Sequence, residues 1–512
     1  MQKPLSAFIN AVPHTVTHQA DADPVITGLV FDSRSVTPGA LFFALPGVHT
    51  QGSAYIPSAI KAGAAAIVYQ GELDAAALQA IQDCWAVAIR VDDARFSMAP
   101  LASAFYDNPS ARLAVIGVTG TEGKSSTVAF IWQLLRLCGK KAGFISTVQY
   151  SLGDGAIDNP EHQTTPEAPI IQKQLYEMLT NGCEAAVLES SSHGLSPRTN
   201  RLGNVLFDAA VFMNVTHEHL EFHGTWEQYR DDKANLFRAL DAHSHEKIIN
   251  GKRVTVPAFG VVNADDPSAD YFAQATRRDV RRFSYPEVRD TAGGIEFALP
   301  SGETVSAPTP GSFNAYNITA AIMTAHRLFG IPLGQLADAA SRLTPIRGRM
   351  TAINQGQPFE VIIDYAHTPS SFQTIFPPLR GRAEGRIISL FGSGGERDLA
   401  KRPEQGKIAG RWSDVVILTD EDPRGEDSTE LLAMIQTGCV EAGKTPGSEV
   451  HIIPDRPAAI RQAFAIAQAG DIVLLLGKSH ENSIIYKDFI MPYDEFAEAG
   501  KALAELGFSQ MK

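Results

Sequence analysis

Residues 113–126 read LAVIGVTGTEGKSS, and this stretch decides the predicted fold. Its first six residues are apolar or glycine, as in a buried strand, and the amphipathic pattern from Thr127 predicts a helix. Between them, Gly120 and Gly123 allow backbone N–H groups to close around an anion, and Lys124 stands where the helix begins. A strand, a glycine-rich loop and a helix in this order predict a phosphate-binding loop in an α/β fold.

The loop departs from the common G-x-x-x-x-G-K-[ST] pattern, because Val118 stands where the first glycine is expected. The alternative is a plain glycine turn between a strand and a helix. We favour phosphate binding, since a turn alone gives no reason for Lys-Ser at the start of a helix. In that interpretation Lys124 reaches the β- and γ-phosphates of a nucleotide, and the Ser125 hydroxyl binds Mg²⁺.

The rest of the chain repeats the alternation of strand and helix. Short apolar runs typical of buried parallel strands occupy residues 65–68, 185–188, 361–363, 415–418 and 472–476. The segments between them are long enough for crossover helices, so we expect parallel sheets with helices on both faces. Polar breaks near residues 107–110 and 344–349 predict three domains, spanning residues 1–110, 111–346 and 347–512.

Composition excludes several classes of protein. Apolar residues make up 44% and charged residues 20% of the 512 residues, which is ordinary for a globular chain. The net charge of −13 argues against a general nucleic-acid binder but leaves room for a local basic pocket. The 4 cysteines form no CxxC pair, so neither a zinc ribbon nor a disulfide framework is expected. Without a signal peptide or a membrane-length apolar run, we expect a soluble, cytoplasmic protein.

The middle of the chain carries a carboxylate, several histidines and a lysine of interest. Glu189 follows an apolar run, and a carboxylate at that end of a parallel strand lies beside the phosphate loop, where it can bind magnesium. The alternative is a solvated strand-end carboxylate. His217, His219 and His223 suggest zinc, but the H-E-x-x-H spacing is absent. We expect one of them near magnesium or phosphate and the others at the surface or in loops. Lys233 by itself indicates an exposed helix lysine.

Motifs spread in order over essentially the whole chain resemble the Mur ligase family of ATP-dependent amide ligases in peptidoglycan precursor synthesis. They are the phosphate loop and residues 31–34, 38–42, 47–52, 163–166, 189–195, 214–223, 311–317, 348–350, 364–369, 391–398, 401–403 and 477–481. The resemblance is greatest to members that add the third amino acid. It implies a UDP-binding N-terminal domain, a central P-loop ATPase-like parallel sheet, and a C-terminal Rossmann-like domain that binds the amino acid.

The resemblance also implies roles for particular residues. Catalytic roles fall on Lys124, Glu189, Lys233 and His217. Magnesium ligands would be Ser125, Glu189 and Lys233, the last as a carbamate, which turns an ammonium into an anion. The implied ATP contacts are Gly120, Thr121, Glu122, Gly123, Lys124, Ser125, Ser126, Asn314, Asn317 and Arg349.

The implied contacts to the UDP-MurNAc-dipeptide are Phe31, Ser33, His49, Gln163, Thr164, Thr165, Ser191, Arg198 and Arg201. The two arginines are alternatives. Members of the family usually carry a substrate-binding arginine six residues after His193, and here that position is Thr199. Either neighbouring arginine could reach a phosphate or carboxylate, and the sequence does not decide between them.

The implied amino-acid site is Asp422, Pro423, Arg424, Arg397, Gly477 and Glu481. Members that add meso-diaminopimelate typically read D-N-P-R where this chain reads EDPR at residues 421–424. An added anion should repel a carboxylate and attract an ammonium, which favours lysine or ornithine over diaminopimelate. The alternative is that Asp422 neutralises Arg424 within the protein.

The implied reaction joins UDP-MurNAc-L-Ala-D-Glu to a free diamino acid through an acyl phosphate, with ATP and Mg²⁺ and without nucleic-acid or membrane partners. We expect a monomer whose domains close on the substrates. Three alternatives remain: a sister ligase, either D-Ala-D-Ala-adding or folylpolyglutamate-forming; a P-loop switch or kinase; and a binding protein on an inactive ligase scaffold. Residues 364–369 and 477–481 argue against the sister ligases, and the retained Lys124 and Glu189 argue against an inactive scaffold.

Overall fold

The structure is a computed structural model that describes residues 1–19, 23–47, 51–159, 163–216, 220–284, 286–291 and 294–508. Three mostly parallel sheets follow one another along the chain, each built from short apolar strands and covered by helices. The predicted α/β class is therefore confirmed. Short 3₁₀ helices occupy Leu5–Ala7, Ile9–Ala11, Ser33–Ser35, Gly52–Tyr55 and Pro109–Arg112.

The first sheet lies in the N-terminal part of the chain. The elements here are β1 (Lys3–Pro4), β2 (Thr15–His18), β3 (Val25–Ile26), β4 (Gly28–Val30), β5 (Ala40–Ala44), α1 (Ile56–Lys61), β6 (Ala66–Tyr69), α2 (Ala75–Gln82), β7 (Val87–Arg90) and α3 (Ala94–Phe105). The sheet has the order β2-β7-β6-β5-β4, in which β4 to β7 are parallel and β2 is antiparallel. β5 and β6 are buried along their whole length, as expected for strands covered on both faces.

The second sheet carries the phosphate loop. The elements here are β8 (Ala114–Thr119), α4 (Lys124–Leu137), β9 (Ala142–Ile145), β10 (Gln149–Ser151), β11 (Ile157–Asp158), α5 (Ala168–Thr180), β12 (Ala185–Glu189), α6 (Ser192–Leu195), β13 (Ala209–Phe212), α7 (Leu220–His223), α8 (Trp226–Ala239), β14 (Glu246–Ile249), β15 (Lys252–Thr255), β16 (Phe259–Asn263), α9 (Ala269–Gln274), β17 (Asp279–Phe283), β18 (Val288–Thr291), β19 (Gly294–Ala298), β20 (Thr304–Ala307), α10 (Asn314–Phe329) and α11 (Leu333–Ala340).

Strand β8 lies near the middle of this sheet, whose order is β11-β10-β9-β12-β8-β13-β16-β17. Its neighbours β12 and β13 both run parallel to it. Consequently the loops that follow the three strands meet at one edge of the sheet. Gly117 in β8 allows helix α8 to approach closely, because a Cβ there would lie 2.4 Å from Leu236 Cδ1.

The third sheet has Rossmann-like topology. The elements here are β21 (Thr351–Ile353), β22 (Glu360–Asp364), α12 (Pro369–Arg382), β23 (Ile387–Phe391), α13 (Lys401–Trp412), β24 (Val415–Leu418), α14 (Ser428–Glu441), β25 (Val450–Ile452), α15 (Arg456–Ile466), β26 (Ile472–Leu476), β27 (Ser483–Ile485), β28 (Ile490–Pro492) and α16 (Glu495–Glu505). The order is β21-β22-β26-β23-β24-β25, with only β21 antiparallel among these six, while β27 and β28 form a separate hairpin.

A buried polar cluster lies at the opposite end of β8 from the phosphate loop. Asp208 accepts a hydrogen bond from Val115 N at 2.8 Å and faces His245 Nδ1 at 2.9 Å. Its carboxylate, His243 and His245 could together bind a metal ion. The ammonium of Lys247, however, contacts Asp208 Oδ2 and the carbonyl oxygen of Leu206. A protein cation already neutralises this carboxylate, so the cluster serves the fold.

Within the described parts of the chain, no helix is both long enough and apolar enough to span a bilayer. The longest helix, α10, has 16 residues.

Two glycines allow helices α13 and α14 to touch. A Cβ at Gly438 would lie 1.8 Å from the carbonyl oxygen of Pro403, and one at Gly406 would lie 2.0 Å from that of Ile435. We expect Gly438→Ala to force these helices apart and to lower the free energy of unfolding by about 2 kcal/mol. The measurement is the denaturation midpoint followed by circular dichroism.

Gly334→Ala is the matched control. Gly334 is an exposed residue of α11, and a Cβ there meets no atom within 4 Å. Alanine favours helix over glycine by up to about 1 kcal/mol, so this variant should be as stable as the parent protein or slightly more stable. Equal midpoints for both variants would contradict the close contact between α13 and α14.

Candidate active site

The phosphate loop is held in shape by its neighbours before any ligand binds. Strand β8 ends at Thr119 and α4 begins at Lys124. The side-chain oxygen of Asn214 accepts hydrogen bonds from the backbone N–H groups of Thr121, at 3.1 Å, and Glu122, at 2.8 Å. Lys124 Nζ donates to the carbonyl oxygen of Thr121 at 2.7 Å. The lysine therefore lies folded over the loop, at the positive end of a helix that favours an anion.

Helix α10 supports the other side of the loop. Gly123 has φ +80°, and a Cβ on it would lie 2.6 Å from Asn317 Oδ1. The same oxygen accepts a hydrogen bond from Thr127 Oγ1 at 3.3 Å, and the Asn317 amide donates to Asn314 Oδ1 at 3.0 Å. The glycine is thus required by both the backbone conformation and the close contact.

A buried carboxylate lies next to the loop serine. Glu189, only 2% exposed, ends strand β12. Its Oε2 accepts hydrogen bonds from Ser125 Oγ at 2.9 Å and from Thr147 N at 2.8 Å. A carboxylate and a hydroxyl are oxygen ligands of the kind that Mg²⁺ prefers, so this pair fits a magnesium ion.

Lys233 is buried, and the expectation of an exposed helix lysine was wrong. It is 1% exposed on helix α8, and its Nζ donates to the carbonyl oxygen of Gly120 at 2.7 Å. The ammonium also lies 4.4 Å from the centre of the Tyr229 ring. Helical spacing alone could not predict this burial, because it follows from the close approach of α8 to β8 at Gly117.

The histidine expectations were wrong in part. The side chain of His223 is buried, with Nδ1 2.7 Å from Asp232 and Nε2 3.0 Å from Ser192 Oγ. It links α7, α8 and α6 and does not lie at the surface. The predicted site residues His217 and His49 lie outside the described residues, as do His219 and Glu218.

The C-terminal part of the chain reaches the phosphate loop through two side chains. Arg349 Nη2 donates to Ser125 Oγ at 3.1 Å, and its guanidinium lies 5.0 Å from the centre of the Tyr365 ring. Thr368, the N-cap of α12, donates from Oγ1 to Glu122 Oε1 at 3.1 Å. The predicted nucleotide site is therefore formed by residues from both sides of residue 347.

Three of the predicted dipeptide-binding residues, Thr165, Ser191 and Arg201, form a connected group beside Glu189. Thr165 Oγ1 donates to the Glu189 carbonyl oxygen at 3.0 Å and accepts from Ser191 Oγ at 2.9 Å. Arg201 donates to the Thr165 carbonyl oxygen at 3.0 Å and pairs with Glu167 at 3.1 Å. The guanidinium of Arg198 instead stacks 4.6 Å from the centre of the Phe222 ring. Of the two alternatives, the structure places Arg201 in the cavity.

At the predicted amino-acid site, Asp422 pairs with a buried lysine. Lys478 Nζ donates to Asp422 Oδ1 at 2.8 Å and also contacts Glu481. Burial alone would lower the Lys478 pKa, but the two carboxylates raise it above its usual value. Among the described residues Asp422 forms no ion pair with Arg424, so the proposed neutralisation of Arg424 was wrong.

Two other side chains of this region carry unpaired polar atoms. Glu421 Oε2 and Arg424 Nε are both buried without a hydrogen-bond partner among the described residues. Burial raises the Glu421 pKa, although Lys401 and Lys478 act in the opposite direction. Tyr365 OH donates to Glu481 Oε1 at 3.0 Å, which connects this region to Arg349. One of these two atoms belongs to a carboxyl group and the other to a guanidinium, so the region is suited to a ligand that carries both a positive and a negative charge.

One cavity of about 620 Å³ joins these regions. The predicted site residues that line it are Thr121, Glu122, Gly123, Lys124, Ser125, Ser126, Gln163, Thr164, Thr165, Glu189, Ser191, Arg201, Lys233, Asn314, Asn317, Arg349, Arg397, Asp422, Arg424 and Glu481. Other predicted residues lie beside it or farther away: Gly120, Arg198, Pro423, Gly477, and Phe31 and Ser33 near the end of β4. The cavity therefore brings together predicted site residues that lie up to 360 positions apart in the sequence, from Thr121 to Glu481.

Several residues of the site had no predicted role. Asn214 and Tyr365 lie within quoted motifs, and their polar side chains next to strand ends were the available signal. Lys478 follows a strand and precedes Glu481, which could have suggested an ion pair. Thr147 contributes only a backbone N–H to Glu189, and the sequence carries no signal for such a contact because almost any residue could make it.

The loop geometry predicts the effect of a methyl group at Gly123. Gly123→Ala should both strain the left-handed backbone and push Asn317 away, which would disturb the N–H groups that are predicted to face the phosphates. We expect nucleotide affinity to fall at least about tenfold, measured by isothermal titration with ADP and Mg²⁺.

Gly139→Ala is its control. Gly139 also has φ +80° but a Cβ there meets no atom within 4 Å, so it carries the same backbone strain at the far end of α4. Nucleotide affinity should stay within about twofold of the parent protein. An equal loss of affinity in both variants would show that the contact with Asn317 is irrelevant.

Comparison with protein families agrees with this geometry. Residues 25–106 match the model of the Mur ligase family catalytic domain, residues 118–325 the Mur ligase middle domain, and residues 348–479 the Mur ligase glutamate ligase domain. Together these matches cover most of the chain.

Individual relatives match over nearly their full length. A UDP-N-acetylmuramyl-tripeptide synthetase of Treponema denticola is 52% identical, over 92% of this chain and 90% of that protein. One from Treponema pallidum is 48% identical over 98% and 97%. The solved structure of a UDP-N-acetylmuramoyl-L-alanyl-D-glutamate–2,6-diaminopimelate ligase has a TM-score of 0.61 at 26% identity and covers 99% of this chain and 100% of that chain. The three family matches, the shared fold and these identities lead to one conclusion: the chain belongs to the Mur ligase family.

Proposed function

We propose that this Mur ligase joins a free diamino acid to UDP-MurNAc-L-Ala-D-Glu and so forms the tripeptide precursor of peptidoglycan. The observation that carries the proposal is the single cavity, which has the phosphate loop at one end and Asp422, Arg424 and Glu481 at the other. The name of the Treponema denticola relative supports the step. The enzyme is an ATP-dependent acid–amino-acid ligase.

The chemistry requires activation of a carboxylate, which is a poor acyl electrophile. Transfer of the γ-phosphoryl group of ATP to the substrate carboxylate releases ADP and forms an acyl phosphate. The amine of the incoming amino acid, once deprotonated to its neutral form, then attacks the acyl carbon, and inorganic phosphate leaves with the proton that the nitrogen loses as the amide forms. Lys124 and Arg349 lie where they can orient the phosphates and offset their charge, which is most of what phosphoryl transfer requires of a protein. Glu481 is placed to hold the ammonium of the amino acid.

Magnesium and a carbamate are part of the proposal. Ser125 Oγ and the Glu189 carboxylate would hold Mg²⁺, which neutralises phosphate charge when bound. Lys233 would carry a carbamate that serves a second magnesium ion. Its burial in the wall of the cavity that Ser125 and Glu189 also line supports this role, since a carbamate there would share the cavity with those two magnesium ligands.

The N-terminal part of the chain is assigned to the uridine nucleotide. We place Phe31, Ser33 and His49 in this site and Gln163, Thr164, Thr165, Ser191 and Arg201 along the muramoyl-dipeptide. The proposed domains remain residues 1–110, 111–346 and 347–512. We further propose that the enzyme acts as a cytoplasmic monomer.

The amino acid is assigned to the class that ends in a side-chain ammonium, lysine or ornithine. Because Lys478 already neutralises Asp422, the preference now depends on Glu421. Among the described residues the buried Glu421 Oε2 has no hydrogen-bond partner, and an ammonium would supply one while lowering the raised pKa of this carboxyl.

Phosphate release tests the reaction and the amino acid together. With ATP, Mg²⁺ and UDP-MurNAc-L-Ala-D-Glu, we expect turnover with L-lysine or L-ornithine and little with meso-diaminopimelate. Glu421→Gln should raise the KM for the diamine about tenfold, because a neutral amide attracts an ammonium less than a carboxylate does. A preference for diaminopimelate would contradict only the charge argument and would leave the proposed reaction in place.

Two other outcomes would contradict the proposed reaction itself. Phosphate release without any amino acid would favour a P-loop ATPase, and no turnover despite ADP binding would favour an inactive scaffold.

The carbamate has a direct spectroscopic test. Protein equilibrated with ¹³C-bicarbonate should show a carbamate carbon resonance, and Lys233→Gln should abolish that resonance together with turnover. Lys247→Gln is the control lysine, since Lys247 is equally buried but remote from the cavity. A spectrum of the parent protein without a carbamate signal, or one that survives in Lys233→Gln, rules the proposal out.

A further inference from the structure

A buried ion pair lies directly behind the predicted amino-acid site. The guanidinium of Arg456, the first residue of α15, and the carboxylate of Glu495, the first of α16, are both fully buried. Two hydrogen bonds join them, from Nε at 2.8 Å and from Nη2 at 2.7 Å. Tyr493 OH donates to the same carboxylate at 2.6 Å. None of these residues lines the cavity.

Arg456 also donates hydrogen bonds to two backbone carbonyls. Nη2 donates to the carbonyl oxygen of Leu476 at 2.7 Å, and Nη1 donates to that of Asp420 at 3.3 Å. Leu476 is the last residue of β26, and Asp420 lies two residues beyond β24. These strands are not neighbours, because β23 lies between them. One planar side chain thus ties together two strand ends that the sheet itself does not pair.

The two tethered carbonyls begin the loops that hold the amino acid. The first loop continues into Glu421, Asp422 and Arg424, and the second into Lys478 and Glu481. The loops also touch each other through the ion pair between Lys478 and Asp422.

Stability alone gives little reason for the buried pair. Replacing a buried ion pair by apolar residues of similar volume is often neutral or stabilising. An arginine at the start of a helix also meets the positive end of the helix dipole, which is unfavourable. What the guanidinium does supply is fixed geometry, since its donors are coplanar and four hydrogen bonds hold it to one carboxylate and two carbonyls.

From this geometry we infer that Arg456, held by Glu495, is a positioning residue that sets the spacing of the two amino-acid-binding loops and thereby the affinity for the amino acid. The inference rests on the proposed function. A lysine in place of Arg456 keeps the charge but cannot donate in one plane to the carboxylate and both carbonyls, so the loops lose their common anchor.

The experiment measures the KM of each substrate in Arg456→Lys. We expect the KM for the diamino acid to rise at least about tenfold, while the KM values for ATP and UDP-MurNAc-L-Ala-D-Glu stay within about twofold. A residue with a merely structural role would raise all three together or lower kcat alone, and either result overturns the inference.

Arg461→Lys is the matched control. Arg461 lies on the same helix, and it also binds a glutamate of α16, Glu505, through two hydrogen bonds at 2.7 and 2.8 Å. It is one-third exposed, and its polar partners among the described residues, Pro457, Glu498 and Glu505, all lie on α15 or α16. Its three KM values should equal those of the parent enzyme, and a similar rise in amino-acid KM for both variants would overturn the inference.

A milder variant keeps the test valid if Arg456→Lys does not fold. Tyr493→Phe removes one hydrogen bond to Glu495 and leaves Arg456 in place, so the amino-acid KM should rise about two- to threefold with the other KM values unchanged. No change in that KM would contradict the inference. A parent enzyme without turnover on any diamino acid would instead refute the proposed function.

Discussion

The hydrogen bond between Ser125 and Glu189 is the contact on which the site depends. It exists because β8 and β12 are adjacent parallel strands, so the loop after one meets the carboxylate that ends the other. Arg349 binds the same serine hydroxyl from beyond residue 347 and so joins the C-terminal sheet to the loop. Three parts of the chain that are far apart in sequence therefore meet at a single oxygen atom.

Charge in the cavity is organised by local pairing. The chain is acidic overall, yet Lys124, Arg349 and Arg424 face the space where phosphates and carboxylates are proposed to bind. Two of the three side chains are restrained before a ligand arrives, since Lys124 donates to a loop carbonyl and Arg349 donates to Ser125. A site prepared in this way loses less conformational entropy when it binds charged groups.

Much of the fold and part of the site could be predicted from sequence. Apolar runs such as residues 472–476 became strands because a five-residue apolar run already carries the signal for burial on both faces. The likeness of separated motifs to one family indicated which residues would gather in one cavity. The burial of Lys233 and of His223 could not be predicted, because each depends on the packing of helices whose mutual approach no local pattern encodes.

By itself the sequence determined the α/β class and the strand, glycine-rich loop and helix around residues 113–126, since strand and helix periodicity and glycine spacing are local properties. The family followed instead from the resemblance of separated motifs. Only the tertiary structure decided the ionic partners. Asp422 binds Lys478 rather than Arg424, although Arg424 is the nearer residue in sequence. Arg456 reaches two strand ends separated by a third strand. The reason is that charge pairing depends on distance in space and on burial, and these arise only when remote segments pack together.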